Sequence, residues 1–177
     1  ISIKLLSFNN VFDIFIYLNL IDLISLFGGN NLFNNRLKQN IINNPFDMVR
    51  FERIVNKPKR NVGDTTVELI KQISTDLKLS PLDVMRNCDE YAPLSKKVST
   101  LKTVAAMFDS LIEKVDVLPL NELLDEVLAK SGYMAYLRGL GDEGVNKIEN
   151  VQEFYSTVAS YTDEAEDPNL NEFLEEV

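Results

Sequence analysis

The chain has 177 residues, a formal net charge of −9, no histidine and one cysteine, Cys88. That length can bury a sizeable core as one domain. The missing histidine excludes His-based triads and almost every catalytic zinc site, and a lone cysteine excludes an intrachain disulfide while fitting a reducing compartment. The acidic balance argues against nucleic-acid coating by the whole surface, so such a role needs a focused basic patch.

Residues 1–42 are rich in Ile, Leu, Phe and Asn and contain no Glu, Ala, Pro or Thr. The run 11–27 is the most apolar, interrupted by Asp13, Asn19 and Asp22. With no basic start and no small-residue cleavage site it does not read as a signal peptide. With two acids and less than the usual ~20 residues it is a poor membrane span. From 43 onward the chain reads as helices alone. Asn43-Asn-Pro-Phe-Asp47 is a turn leading into a short helix over 46–55, with Met48, Phe51, Ile54 and Val55 on its apolar face.

The stretch 50–66 follows, and the rest of the chain is organised around it. Arg50, Arg53, Lys57, Lys59 and Arg60 meet only Glu52, so an acidic protein becomes locally cationic. Pro58 has no donor and holds Lys57 extended, which predicts that the helix stops by Asn56. Gly63 can take a left-handed or close-approach conformation. Asp64 or Thr65 then caps a new helix over 64–76, Thr65 with Glu68 fits a capping box, and Val67, Ile70 and Ile73 point inward. Basic side chains, backbone N–H groups at a glycine turn and a helix start make a phosphate site. The candidate residues are Lys59 and Arg60 for charge, the N–H groups of Asn61, Val62, Gly63 and Asp64, and the hydroxyls of Thr65 and Thr66.

Ser80-Pro81 is an N-cap with proline at the first helical position, predicting a short helix to about 87. Tyr91-Ala-Pro93 breaks the chain. A core helix over 94–115 carries Val98, Leu101, Ala105, Phe108, Leu111 and Val115 at helical spacing. Another over 118–130 points Leu120, Leu123, Leu124, Val127 and Leu128 inward. Ser131-Gly132 ends it, and a short helix over 133–140 closes at Gly141. The longest helix covers 143–165, with Val145, Ile148, Val151, Phe154, Val158 and Tyr161 on one stripe. Asp167-Pro168 restarts the chain into a last helix over 169–177. Tyr133 and Tyr136 read as core or rim aromatics, since only Arg138 interleaves with them. From Asp142 onward eleven acidic residues stand against Lys147 alone, most simply a solvated face. No G-x-x-x-x-G-K-[ST] run is present, so the chain lacks a phosphate loop of its own.

Arg53-Ile-Val-Asn-Lys-Pro-Lys-Arg-Asn-Val-Gly-Asp-Thr-Thr66 resembles the R-I-x-N-x-P-x-R-G-I-G-x-x-T segment of the UvrD/PcrA/Rep group of superfamily 1 DNA helicases. Leu79-Ser-Pro-Leu-Asp, Tyr91-Ala-Pro-Leu-Ser, Ser131-Gly-Tyr and Ile148-Glu-Asn-Val-Gln-Glu-Phe154 follow in that family's order. The matching part is the 2B subdomain, so residues 43–177 are identified with it: an all-α, multi-helix orthogonal bundle carrying a helix-hairpin-helix-like element. Residues 1–42 resemble it only in pieces. Asp13-Ile-Phe-Ile-Tyr-Leu-Asn-Leu-Ile and Gly28-Gly-Asn-Asn-Leu-Phe-Asn-Asn-Arg36 come in reverse order, as a misordered start of the subdomain. One departure falls in the turn itself. Asn61 replaces the first glycine of Gly-Ile-Gly, and asparagine tolerates positive φ better than other non-glycine residues.

The resemblance implies that the parent chain is an ATP-dependent 3′→5′ DNA helicase of repair or replication, working in the bacterial cytoplasm at the nucleoid. ATP and Mg²⁺ belong to its motor domains, and this segment needs no cofactor and is inactive alone. The expected partners are duplex DNA backbone, read without base contacts, and the 1A, 1B and 2A domains, with no membrane. Rotation of 2B then adjusts unwinding. A different class of reading remains beside it: an acidic helical protein-interaction module whose basic stretch is plain surface.

Overall fold

The computed structural model describes residues 48, 51–52, 54–114, 117–166, 168 and 173. The expectations for 1–47, Arg50, Arg53, Val115, the Asp167 cap and most of 169–177 lie outside these residues. The described residues are all-helical in their regular structure, with no strand among them. They divide into two compact units, one within 48–113 and one within 114–173.

In the first unit, Met48, Phe51, Glu52 and Ile54 are helical, and the chain turns at Val55 and Asn56 as Pro58 predicts. Phe51, Ile54 and Val55 are buried. Helix α1 spans Asp64–Leu77 and buries Thr66, Ile70 and Ser74, one residue per turn at i, i+4 and i+8. The inward stripe is therefore rotated from the expected one, leaving Val67 and Ile73 on its flanks. Lys78 ends α1 in the left-handed region at φ 54°, its N–H returning to the Ser74 carbonyl. This is a C-cap closed without glycine.

Helix α2, Pro81–Arg86, starts as expected, with the Ser80 hydroxyl accepting the Asp83 N–H at 3.0 Å. The core helix expected from 94 starts later. Ala92–Lys97 is a 3₁₀ turn, and α3 runs Val98–Ile112. Pro93 sits in the first turn of that 3₁₀ segment, whose tighter i→i+3 bonds begin with Leu94 N–H to the Tyr91 carbonyl at 2.9 Å. Leu101, Val104, Ala105, Phe108 and Leu111 are buried on α3, each worth about 1.5–3 kcal/mol for the larger side chains. Helix α1 packs against α2 and against the 3₁₀ segment, and α2 packs against α3. Arg86 of α2 bridges Asp83 and Asp109, and those carboxylates raise its guanidinium above the ordinary arginine value.

In the second unit, α4 spans Leu120–Ser131, α5 Tyr133–Gly139 and α6 Asp142–Glu164, all three packed on one another. The five inward residues expected on α4 are all buried. Gly132 takes φ 71° at its C-cap, the left-handed position that favours glycine. On α6, Val151, Phe154, Val158 and Tyr161 are buried as expected, but Val145 is 51% exposed. The stripe begins at Gly144, not Val145. A Cβ at Gly144 would stand 2.0 Å from the Leu137 carbonyl oxygen, so α5 and α6 approach too closely there for any side chain. Phe173 closes this core, its ring 5.8 Å from that of Phe154 and 5.2 Å from that of Tyr161. Tyr133 and Tyr136 are half-buried with ring centroids 6.0 Å apart, and burial pushes the Tyr133 phenol up to about 12.

Candidate nucleic-acid interface

The basic stretch folds into a turn between the helical segment at 48–54 and α1. Two contacts close its first half. The Asn56 side-chain oxygen accepts the Arg60 N–H at 2.7 Å, an Asx-type link across the turn. The Arg60 guanidinium donates through Nη1 to the Ile54 carbonyl at 2.8 Å and the Val55 carbonyl at 3.3 Å. These are the carbonyls that a helix end leaves without partners. Partial burial lowers Arg60 from the ordinary arginine value, though arginine stays cationic at neutral pH. The Lys57–Pro58 peptide is cis.

The second half sets the backbone. Asn61 takes φ 60°, so the left-handed step falls on the residue that replaces glycine in the resembling motif. Gly63 does not use its freedom. It is extended at φ −73°, ψ 167°, and a Cβ built on it meets nothing within 4 Å. Nor does Asp64 or Thr65 cap α1. The N-cap is Gly63, Asp64 is the first helical residue, and no side chain caps the end. The Gly63 carbonyl takes the N–H groups of Thr66 at 2.8 Å and Val67 at 3.0 Å, which places the cap two residues earlier than the capping-box reading does.

The candidate residues therefore separate. Lys59, Asn61, Gly63, Asp64 and Thr65 are exposed on the turn. Val62 is fully buried and Thr66 is 8% exposed, so their side chains belong to the core under the turn. Arg60 is half-buried, with one terminal nitrogen directed at backbone carbonyls. Glu52, the one acid within 50–60, pairs with Lys71 of α1 at 3.3 Å.

One residue at the turn was not legible from the local sequence. Lys97, the last residue of the 3₁₀ segment, donates from Nζ to the Asn61 carbonyl at 3.1 Å. It is 36 positions away, and only the packing of that segment on α1 brings it there. The charge is also unevenly divided. Residues 48–113 hold eleven Lys and Arg against nine Asp and Glu, whereas 114–177 hold four against fifteen. The cationic surface and the acidic excess thus lie in different units.

Among the described residues no group of His, Cys, Asp and Glu is placed to hold a metal ion, and no helix is long and apolar enough to cross a membrane. Cys88 is buried.

Over residues 37–177 the chain matches the family described as the UvrD-like helicase C-terminal domain. It is 32% identical over 135 residues to the ATP-dependent DNA helicase PcrA of Bacillus subtilis, a match covering 76% of this chain and 18% of that protein. It is 34% identical over 131 residues to DNA helicase II of Salmonella typhimurium, covering 72% of this chain and 18% of the relative. It is also 34% identical over 138 residues to the Staphylococcus aureus PcrA helicase, covering 76% and 19%. The chain thus spans less than a fifth of the length of these relatives.

Proposed function

The chain belongs to the UvrD-like helicase C-terminal domain family, and from that membership we propose that residues 43–177 are the 2B subdomain of a longer ATP-dependent 3′→5′ DNA helicase. Its task is to hold the duplex backbone ahead of the motor domains. By rotating against the 1A, 1B and 2A domains it adjusts unwinding. The parent works in the bacterial cytoplasm at the nucleoid, in repair or replication. In the motor domains of that parent, ATP hydrolysis would supply the energy, with Mg²⁺ neutralising the charge that develops on phosphate. Residues 1–177 carry no phosphate-loop motif, so the segment alone should hydrolyse no ATP.

The observation that carries this reading is the turn before α1. Asn61 at φ 60° and extended Gly63 lead into a helix start that no side chain caps, with Lys59 exposed beside it. Backbone donors at such a start favour an anion, and a lysine adds a mobile point charge. Contacts from backbone N–H groups and lysine go to phosphate and carry no sequence information, so recognition is expected to be of duplex structure. Asn61, Gly63, Asp64 and Thr65 form the contact surface with Lys59. Val62 takes part only through its backbone, and Thr66, buried and with its N–H given to the Gly63 carbonyl, supports the turn from beneath. Arg60 acts chiefly by holding the turn to the preceding helix, its remaining nitrogens contributing charge. The helical segment, turn and α1 together are the helix-hairpin-helix-like element. Asp64 opposes an anion with its carboxylate while its N–H favours one, which keeps the grip weak and reversible.

The test is a titration of the chain into a fluorescent blunt duplex and the matching single strand at several salt concentrations, with Lys59→Ala alongside. Expected is weak, duplex-preferring binding with a log–log salt slope of about −2 to −4, flattened by about 1 in the variant. Equal absence of binding at low salt would leave the acidic interaction module as the better reading.

A further inference from the structure

The lysines and arginines of the first unit differ in what they face. Lys71 lies 3.3 Å from Glu52, Lys102 lies 2.8 Å from Asp89, and Arg86 is held between Asp83 and Asp109. Each of these cations is neutralised by a carboxylate. Lys97 is not. Among the described residues its partner is the Asn61 carbonyl at 3.1 Å, a neutral acceptor that takes one of three ammonium donors and none of the charge.

We infer that Lys97 is a phosphate-contacting residue of the same surface, a cation delivered to the Asn61 turn from the distant 3₁₀ segment. This rests on the duplex-backbone reading above and adds a named residue to it. The physical reason is placement. A half-buried lysine such as Lys97 still costs side-chain entropy to hold in one geometry, and a hydrogen bond to the carbonyl of an exposed residue returns little of it. Yet this bond anchors the ammonium at the one residue of the turn with positive φ, next to the exposed residues Lys59 and Gly63. One N–H keeps Lys97 on the turn. The other two, with the full charge, are left for an oxyanion. Lys96 beside it is exposed and adds to the local potential. A phosphate at the turn then meets cations from two separate parts of the chain, Lys59 before the turn and Lys97 from the segment packed on α1.

Three variants of the full chain test this against the blunt fluorescent duplex. Lys97→Met keeps the side-chain length and removes charge and donors. Lys97→Arg keeps both. Lys102→Met removes a cation that is already paired with Asp89. Expected for Lys97→Met is duplex binding weaker by about three- to tenfold at low salt and a salt slope flatter by about 1, as for one lost phosphate contact. Lys97→Arg should restore both readouts, and Lys102→Met should stay within about twofold of wild type. If Lys97→Met binds with wild-type affinity and slope while Lys59→Ala still flattens the slope, the inference fails and the duplex reading stands. If Lys97→Met weakens binding at unchanged slope and Lys97→Arg does not rescue it, the side chain is structural and the inference is overturned. If wild type binds no duplex at low salt, both readings fall together.

Discussion

At the scale of single residues, the turn before α1 places its positive φ where asparagine's tolerance for it predicts and leaves the freedom of Gly63 unused. Asn61 carries the positive φ at 60°, and Gly63, the residue with the freedom to do so, is extended in open space. Asn61→Gly should therefore leave stability within about 0.5 kcal/mol of wild type. Asn61→Ala should cost about 1 kcal/mol, because alanine keeps the Cβ but loses the short polar side chain whose local hydrogen bonding makes the left-handed region tolerable for asparagine. Urea unfolding of the two variants distinguishes these outcomes. Gly63 makes a different point. Among the described residues nothing requires glycine there, so a requirement for it would come from what the turn touches. Gly63→Ser supplies a better N-cap and should raise stability by a few tenths of a kcal/mol. On the duplex-backbone reading it should also lower duplex affinity severalfold, since its hydroxyl fills the space and occupies the donors meant for phosphate. A variant that gains stability and keeps its affinity would show that Gly63 does not meet DNA.

At the scale of elements, the helices follow from apolar spacing and punctuation, while their starts and close approaches do not. Ser80-Pro81 and Gly132 open and close helices where their chemistry predicts. The start of α3 is displaced because Pro93 begins a 3₁₀ turn before the α-helical ladder can form. The buried stripe of α6 begins one residue earlier than expected for a packing reason, since Gly144 occupies the place at which Leu137 of α5 comes nearest. Spacing alone assigned that place to Val145, a larger apolar residue one position on. Gly144→Ala drives a Cβ into backbone and should destabilise the second unit by about 1–3 kcal/mol. Val145→Ala, on an exposed residue, should change stability by less than about 0.5 kcal/mol. Thermal melts of both variants give the comparison directly.

At the scale of the whole molecule, the division of charge decides where a polyanion can approach. A net charge of −9 hides a first unit with a small cationic excess and a second with fifteen acids against four bases. The like charge of 114–177 repels phosphate over roughly a Debye length, about 10 Å at 0.1 M salt. A duplex carrying a photoreactive group on its backbone should therefore crosslink to peptides from 57–102 and leave those from 142–166 unlabelled. Labelling concentrated on the second unit would contradict the proposed orientation and favour another face. The same polarity limits affinity, which suits a subdomain that must release and move.

Helix content, the inward residues of α4 and most of α6, the Ser80 cap and the cationic stretch were all legible in the chain, because each depends on neighbours within a few residues. Apolar periodicity and capping chemistry are local signals, and so is a run of lysines and arginines beside a proline and a glycine. The tertiary structure decided which members of that run reach solvent. It turned Val62 and Thr66 into the core and drew Arg60 back onto the Ile54 carbonyl. It also brought Lys97 across 36 residues to Asn61. The Lys97 contact depends on how a 3₁₀ segment packs against α1, which is a contact between distant parts of the chain and leaves no periodic trace in either.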